Sequence, residues 1–311
     1  MTWQKAVFIL LILFCLSPLG SAPLALGLGL VMALTIGSPF PQLSGKPAKY
    51  LLQVSVAMLG FGMNLEAVYT AGRGGILFIV CVVFGALFLG FVIGKLLKVL
   101  PRVRTLVSVG TAICGGSAIA AVGPAIKAEN DEMSVSLGTI FLLNAVALFA
   151  FPFIGHSLEL SPGQFGLWAA IAIQDTSSVV GAATAFGASA LQVATPVKLA
   201  RTLWIIPLAI ALAFAHRDEG SKAKITLPWF IFFFMGAVVA RTYLPSIIVP
   251  SIFDTIVLVA KAGLTVTLFL IGLSLSREML KNVGWRPFAL GAVLWLIVAS
   301  VSLWAVIRFQ I

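Results

Sequence analysis

Asp175 is the one carboxylate that falls deep inside an apolar stretch, within Ala170-Ile171-Ala172-Ile173-Gln174-Asp175-Thr176-Ser177-Ser178-Val179-Val180-Gly181. The other nine acids, among them Glu66, Glu129, Glu132, Asp254 and Glu278, lie in or near predicted connections. An Asp at the centre of a membrane helix costs ~2.5 to 3.5 kcal/mol on the insertion scale, so such a residue is a functional candidate. Asp, Thr and Ser are favoured helix N-caps, and Asp175-Thr176-Ser177-Ser178 before Val179-Val180 therefore predicts a helix restarting at membrane depth. A restarted helix turns unpaired N–H groups and about half a positive charge toward whatever precedes it, which with the hydroxyls suits an oxyanion or carboxylate. While ionised, Asp175 repels such a guest. Its expected role is coupling to H+ or Na+, with the anion bound when Asp175 is protonated or cation-paired. The alternative is a carboxyl that ties two helices together, for instance through Lys261.

A second stretch, Gly110-Thr111-Ala112-Ile113-Cys114-Gly115-Gly116-Ser117-Ala118-Ile119-Ala120-Ala121-Val122-Gly123-Pro124, is equally poor as helix interior. Gly costs about 1 and Pro about 3 kcal/mol relative to Ala there. A break at Gly115-Gly116 is predicted, and non-helical backbone at membrane depth is tolerated where it is buried in protein or lines a cavity. Close packing of small residues is the other reading, and it suffices for Gly90 and Gly94. Gly115, Gly116, Ser117, Thr176, Ser177 and Ser178 thus form the expected cradle. Asn144 stands mid-segment as a polar contact to it, or as an interhelical hydrogen bond. Lys261, near a segment midpoint, is a partner of Asp175 or an anion ligand. Lys198 and Arg201 share a helical face at spacing i, i+3, at the outer end of a segment that Thr195-Pro196 would start. They would draw anions toward a vestibule or anchor the interface.

The elements that must hold these residues follow from composition. Hydrophobic residues make up 60% and charged residues 10% of 311, against about a quarter charged in soluble domains, so this is an all-α polytopic membrane chain. Spans need about 20 apolar residues. Eleven segments fit: 3–19, 22–38, 47–69, 75–100, 104–128, 132–156, 163–188, 194–216, 227–243, 250–277 and 284–310. Pro39-Phe40-Pro41, Ser161-Pro162-Gly163 and the run 217–224 punctuate them. The whole chain is read as one integral membrane domain, with an extra helix over 1–20 and halves at 22–160 and 163–311. Lys5 and Gly20-Ser21-Ala22 would also suit a cleaved leader, but a retained first helix is favoured because apolar sequence resumes at once.

The net charge of +10 is spread over short connections without interleaved aromatics, which excludes nucleic-acid binding and marks topology instead. With a cytoplasmic N-terminus, thirteen basic residues (Lys5, Lys46, Lys49, Lys95, Lys98, Arg102, Arg104, Arg217, Lys222, Lys224, Arg277, Lys281, Arg286) fall inside. Four (Arg73, Lys127, Arg241, Arg308) fall outside, so the expected orientation is N-in, C-out. Cys15, Cys81 and Cys114 have no metal-ligand spacing, and His156 and His216 fall at segment ends. No hydrolase, metalloprotease or nucleotide-binding signature occurs, so neither enzyme activity nor a cofactor beyond a coupling ion is expected.

Two internal resemblances stand out. A shift of 210 pairs Ser55 with Thr265, Val56 with Val266, Gly62 with Gly272, Asn64 with Ser274, Leu65 with Leu275 and Gly74 with Gly284. Seven segments separate the copies, an odd number, which is the mark of an inverted repeat. A shift of 60 pairs Ile113 with Ile173 and Ser117 with Ser177. In an eleven-span topology these two run in the same direction and fall outside the inverted repeat.

Ile113-Cys114-Gly115-Gly116-Ser117-Ala118-Ile119-Ala120, Asp175-Thr176-Ser177-Ser178-Val179-Val180-Gly181-Ala182 and Val197-Lys198-Leu199-Ala200-Arg201 together resemble the YeiH family of sulfate exporters, over most of the chain. Gln174 departs from relatives that carry His before the acidic residue, which argues against a His-assisted proton relay. The family is similar to the superfamily of cation/proton antiporters and bile-acid-type symporters. That resemblance implies inverted repeats, a panel and a core domain, and broken helices crossing near the midplane. The expected function is secondary transport of a small anion, sulfate or an organosulfonate first, coupled to H+ or Na+ by alternating access. The alternatives are a carboxylate or bile-acid-like Na+ symporter, or an anion channel. The expected setting is the bacterial inner membrane, with the lipid bilayer, the anion and a homodimer as candidate partners.

Overall fold

The computed structural model describes residues 3–17, 20, 22–37, 39–40, 46–63, 65–215, 229–244, 250–274 and 284–309. Ser21, Pro41, Asn64, His216, the run 217–224, Leu275, Arg277 and Lys281 lie outside the described residues. Among those described there are fourteen α-helices and no strand. They are α1 (Trp3–Leu16), α2 (Ala22–Thr35), α3 (Lys46–Leu59), α4 (Leu65–Leu96), α5 (Pro101–Ala112), α6 (Gly116–Val122), α7 (Asn130–Ser157), α8 (Pro162–Ala172), α9 (Thr176–Phe186), α10 (Ala188–Thr202), α11 (Ile205–Ala215), α12 (Trp229–Tyr243), α13 (Pro250–Ser274) and α14 (Trp285–Phe309). Among them five stretches are long and apolar enough to cross a membrane: Phe78–Leu96, Asp131–Ser157, Ala188–Leu212, Ser251–Leu273 and Trp285–Phe309.

The chain divides into two compact units, and each draws on both halves of the sequence. The first comprises Met1–Thr70 and Pro228–Arg277. In it α2 packs on α13, α3 packs on both α12 and α13, and α1 lies against α13. Glycines permit the closest approaches: Gly29 faces the Phe269 carbonyl, Gly272 the Leu26 carbonyl, and Gly60 the Phe234 carbonyl. α4 opens at Leu65, whose N–H donates to Thr242 Oγ1 at 2.9 Å, and runs unbroken past the connection expected at 70–74.

The second unit comprises Ala71–Leu227 and Glu278–Ile311 and is organised around α7. α5 runs parallel to α7. Arg102 Nη1 lies 3.7 Å from Glu129 Oε1 and 3.6 Å from Glu132 Oε2 at their shared start, and eight residues on Gly110 faces Ile140. α6 runs back, because Gly116 faces Leu137 and Phe141 while Gly123 faces Met133. A β-carbon on Gly110 would stand 3.1 Å from Ile119 Cδ1, nine residues away. At 1.5 Å per residue a continuous helix would separate these by about 13 Å, so α5 and α6 form a hairpin.

α8 and α9 repeat the device from the other end of α7. Phe151 stacks on Trp168 at 4.2 Å, Asn144 meets Gln174 and Asp175, and His156 stacks on Phe186 at 4.3 Å. Phe186 stacks in turn on Phe165 at 3.9 Å, so the chain leaves the hairpin beside the point where it entered. The stretches 104–128 and 163–188, expected as spans, therefore fold back on themselves. They enter from opposite ends of α7, and the two copies related by the shift of 60 run in opposite directions rather than the same one. The apolar-length template fails here because two half-helices of a re-entrant loop carry as many apolar residues as one crossing.

α10 begins at Ala188 after Gly187 (φ +153°), and Pro196 lies within it instead of starting it. Parallel to α8, it carries Lys198 and Arg201 to the level of both hairpin tips. α14 completes the unit along α5, α7 and α8. The Trp168 indole N–H donates to the Ala299 carbonyl at 3.0 Å, and Leu290 and Leu294 pack with Val99, Val103 and Val107.

Candidate functional site at the hairpin tips

The tip of the first hairpin is Ile113-Cys114-Gly115, between α5 and α6. Gly115 has φ +64° and ψ −124°, a backbone conformation open to glycine, and its N–H donates to the Gly110 carbonyl at 2.8 Å. A β-carbon on it would lie 3.1 Å from Ile140 Cγ2 and 3.3 Å from Asp175 Cα. Backbone conformation and space both demand glycine where the two tips touch.

The tip of the second hairpin is Ile173-Gln174-Asp175, and Asp175 is the N-cap of α9, as its residue type predicts. Its carboxylate accepts the Ser177 N–H at 3.0 Å and the Ser177 hydroxyl. Asn144 Oδ1 accepts the N–H groups of both Gln174 and Asp175, each at 3.1 Å, while its Nδ2 donates to the Ile140 carbonyl at 2.8 Å. The two Oδ1 bonds hold the tip onto α7, and the Nδ2 bond, made within α7, fixes the orientation of the amide. Asn144→Ala would leave two buried N–H groups without an acceptor, at about 1–3 kcal/mol each. A clearly lowered melting temperature is the expected result in a tryptophan-fluorescence thermal melt of the detergent-purified variant.

Helices end with unpaired carbonyls and the negative end of the dipole, and at these tips α5 and α8 end side by side inside protein. Two cations on one turn of α10 answer both. Lys198 Nζ donates to Ile113 O at 3.2 Å and Ile173 O at 2.7 Å. Arg201 donates through Nε to Ala112 O at 2.7 Å, through Nη2 to Thr111 O at 2.6 Å, and through Nη1 to Ile171 O and, at 3.4 Å, Ala170 O. Both side chains are 0% exposed, so they lie within the packed junction and not at a segment end.

Two polar groups are left over. An ammonium has three N–H bonds, and among the described residues Lys198 finds acceptors for two. Gln174, 1% exposed, donates through Nε2 to Thr111 Oγ1 at 3.0 Å, but its Oε1 has no partner among the described residues. Gly116 and Ser117 are half-buried, whereas Thr176, Ser177 and Ser178 are buried.

The fold thus brings Gly115, Gly116, Ser117, Asn144, Asp175, Thr176, Ser177, Ser178, Lys198 and Arg201 onto two tips and the helices that hold them. Lys261 belongs to the first unit, at an exposed position on α13. Sequence reasoning passed over Gln174 and Thr111 as ligands of the junction. The signal was present in Gln174, a second polar residue beside Asp175 within an apolar run.

The family described as Conserved hypothetical protein 698 matches residues 8–291, which include both hairpins. A UPF0324 membrane protein of Bacteroides thetaiotaomicron is 52% identical over 288 residues, covering 92% of this chain and 86% of the relative. Another, from Porphyromonas gingivalis, is 51% identical over 282 residues (90% and 85%), and one from Bdellovibrio bacteriovorus is 46% identical over 307 (97% and 94%). No solved structure matches this chain.

Proposed function

This chain belongs to the family described as conserved hypothetical protein 698, whose relatives above are named membrane proteins, and we propose that it is a secondary transporter of a small anion. The carrying observation is the pair of unspent groups at the tips: one N–H of fully buried Lys198, and the unpartnered end of the Gln174 amide. A buried polar group without a partner is costly, so the two together argue for a guest. Turned end for end, the amide would take the Thr111 hydroxyl on its oxygen and offer N–H2 to that guest.

Charge decides its sign. Lys198 and Arg201 bring two positive charges, Asp175 one negative, and the two helix ends that the cations cap about one more, while α9 restarts with about half a positive charge. The balance leaves a small positive excess, which an anion neutralises. Ser117 and Ser178 add hydroxyls, and Ser177 adds a third once a proton or cation at Asp175 releases its O–H from the carboxylate. Asp175 couples the cycle to H+ or Na+, because binding of either adds the positive charge that an oxyanion then offsets. The resemblance to YeiH sulfate exporters makes sulfate or an organosulfonate the leading substrate.

Hairpins entering from opposite ends of α7, and the equivalence of α2, α3 and α4 with α12, α13 and α14 under the shift of 210, support two inverted repeats in which the second copy is circularly rearranged. With the hairpins not counted as crossings, Lys127 moves to the inner side. Basic residues then number fourteen inside (the thirteen above plus Lys127) against three outside, Arg73, Arg241 and Arg308. N-in, C-out in the bacterial inner membrane is the orientation this favours.

A ligand panel on detergent-purified protein tests the reading, since a ligand of the folded state raises its apparent stability by mass action. Sulfate, sulfite, sulfonates, carboxylates and bile acids are compared at two pH values, with and without Na+. A sulfate-class shift that disappears in Ser117→Ala and Ser177→Ala is the expected result. Stabilisation by carboxylates or steroids alone would replace it with the symporter reading.

A further inference from the structure

Arg104 stands three residues into α5, beside the turn 97–100 that joins α4 to α5, and among the described residues its guanidinium meets no acceptor. Its Nε is buried and unpartnered, and the charged carbon lies 4.6 Å from the centre of the Phe91 ring. Arg102, two residues earlier, faces Glu129 and Glu132 instead. Arg104 lines a cavity of about 210 Å³ between α4, α5 and α11, whose wall is otherwise largely apolar: Leu87, Phe91, Leu208 and Leu212. The hydroxyl of Ser108, on the same wall, is spent on the Arg104 carbonyl at 2.7 Å.

We infer that this cavity is a binding site for an anionic phospholipid, with the phosphate of the headgroup on Arg104 and the start of an acyl chain along the four apolar side chains. Three features single out that occupant. A guanidinium offers five N–H bonds in a fork that matches phosphate oxygens, and one left without acceptors is a vacant phosphate receptor. The cavity joins that receptor to a hydrocarbon wall, which a free phosphate ion does not need and a lipid does. Lys95 and Lys98, exposed at the end of α4 and in the following turn, stand four and seven residues beyond the lining residue Phe91 and add two positive charges to that end of α4, so a neutral headgroup is disfavoured there. The site lies at the start of the first hairpin, ten residues from its tip, and does not depend on which substrate the tips carry.

Thermal melts and native mass spectrometry of the full chain in neutral detergent decide it, with phosphatidylglycerol, phosphatidylcholine and inorganic phosphate as probes. Phosphatidylglycerol is expected to raise the melting temperature by several degrees over phosphatidylcholine and to survive as a bound adduct. Arg104→Gln should lose that difference. Leu208→Trp, which fills the cavity and leaves the charge in place, should lose it as well, while Arg102→Gln should keep it. Equal shifts from the two lipids, or a wild-type preference retained by both Arg104→Gln and Leu208→Trp, would overturn the site. Inorganic phosphate reproducing the full effect would overturn the lipid assignment.

Discussion

Asp175→Asn is expected to abolish accumulation driven by a pH or Na+ gradient in proteoliposomes while leaving a folded protein that still exchanges anion for anion. Asn is as good an N-cap as Asp, so its side-chain oxygen can keep the Ser177 N–H and α9 can still restart at Thr176. Charge-assisted bonds are about twice as strong as neutral ones, so the substitution weakens this cap without removing it. Coupling is another matter. An ion drives accumulation only through its differential affinity for the states of the carrier, and about 2.7 kcal/mol of such difference corresponds to a factor of ~100. Removing the one carboxylate at the tips removes that difference, while Lys198, Gln174 and the serines remain to bind the anion. Gradient-driven uptake and counterflow, measured on the same vesicles, separate the outcomes. Lost uptake with retained counterflow supports the coupling role. Full coupled uptake by the variant would reduce Asp175 to a cap, and flux without counterflow in either protein would favour a channel.

The chemistry of the junction was more legible in the sequence than its topology. Gly115-Gly116 and Asp175-Thr176-Ser177-Ser178 announce a helix stop and a helix start through conformational preference alone, and the structure places a break at each. What composition cannot express is the direction taken after a break. A hairpin and a kinked span of equal length bury the same apolar residues, and the choice between them rests on tertiary pairings such as Arg102 with Glu129 and Glu132, or His156 with Phe186. The shift of 60 held the missing clue. Two similar breaks separated by one long apolar helix make an inverted pair only if neither is a crossing. Lys198 and Arg201 were misjudged for a related reason. With Thr195-Pro196 read as a helix start they fall near a membrane surface, whereas Gly187 starts α10 two turns earlier and carries them to the tips.

That depth makes Arg201 the position where substitution should most damage stability. Its guanidinium is 0% exposed and donates to the carbonyls of Thr111, Ala112, Ala170 and Ile171, so it closes the ends of two helices belonging to different hairpins. Arg201→Ala strands those carbonyls in a packed interior at about 1–3 kcal/mol each and adds a cavity the size of the lost side chain. Lys198 cannot take over, because two of its three N–H bonds are already committed to Ile113 and Ile173. Failure to recover monodisperse protein by size-exclusion chromatography is the expected outcome for Arg201→Ala. Arg201→Lys should give folded protein with a lowered melting temperature, since one ammonium restores the charge opposite the two helix ends but offers three donors in place of a planar fork. The pair also separates the two roles open to this residue. If Arg201 serves by capping, the Lys variant loses stability and keeps its apparent affinity for the anion. If it serves by attracting the anion, Arg201→Ala remains folded and loses affinity instead, and a stable Ala variant would show that the carbonyls find other donors.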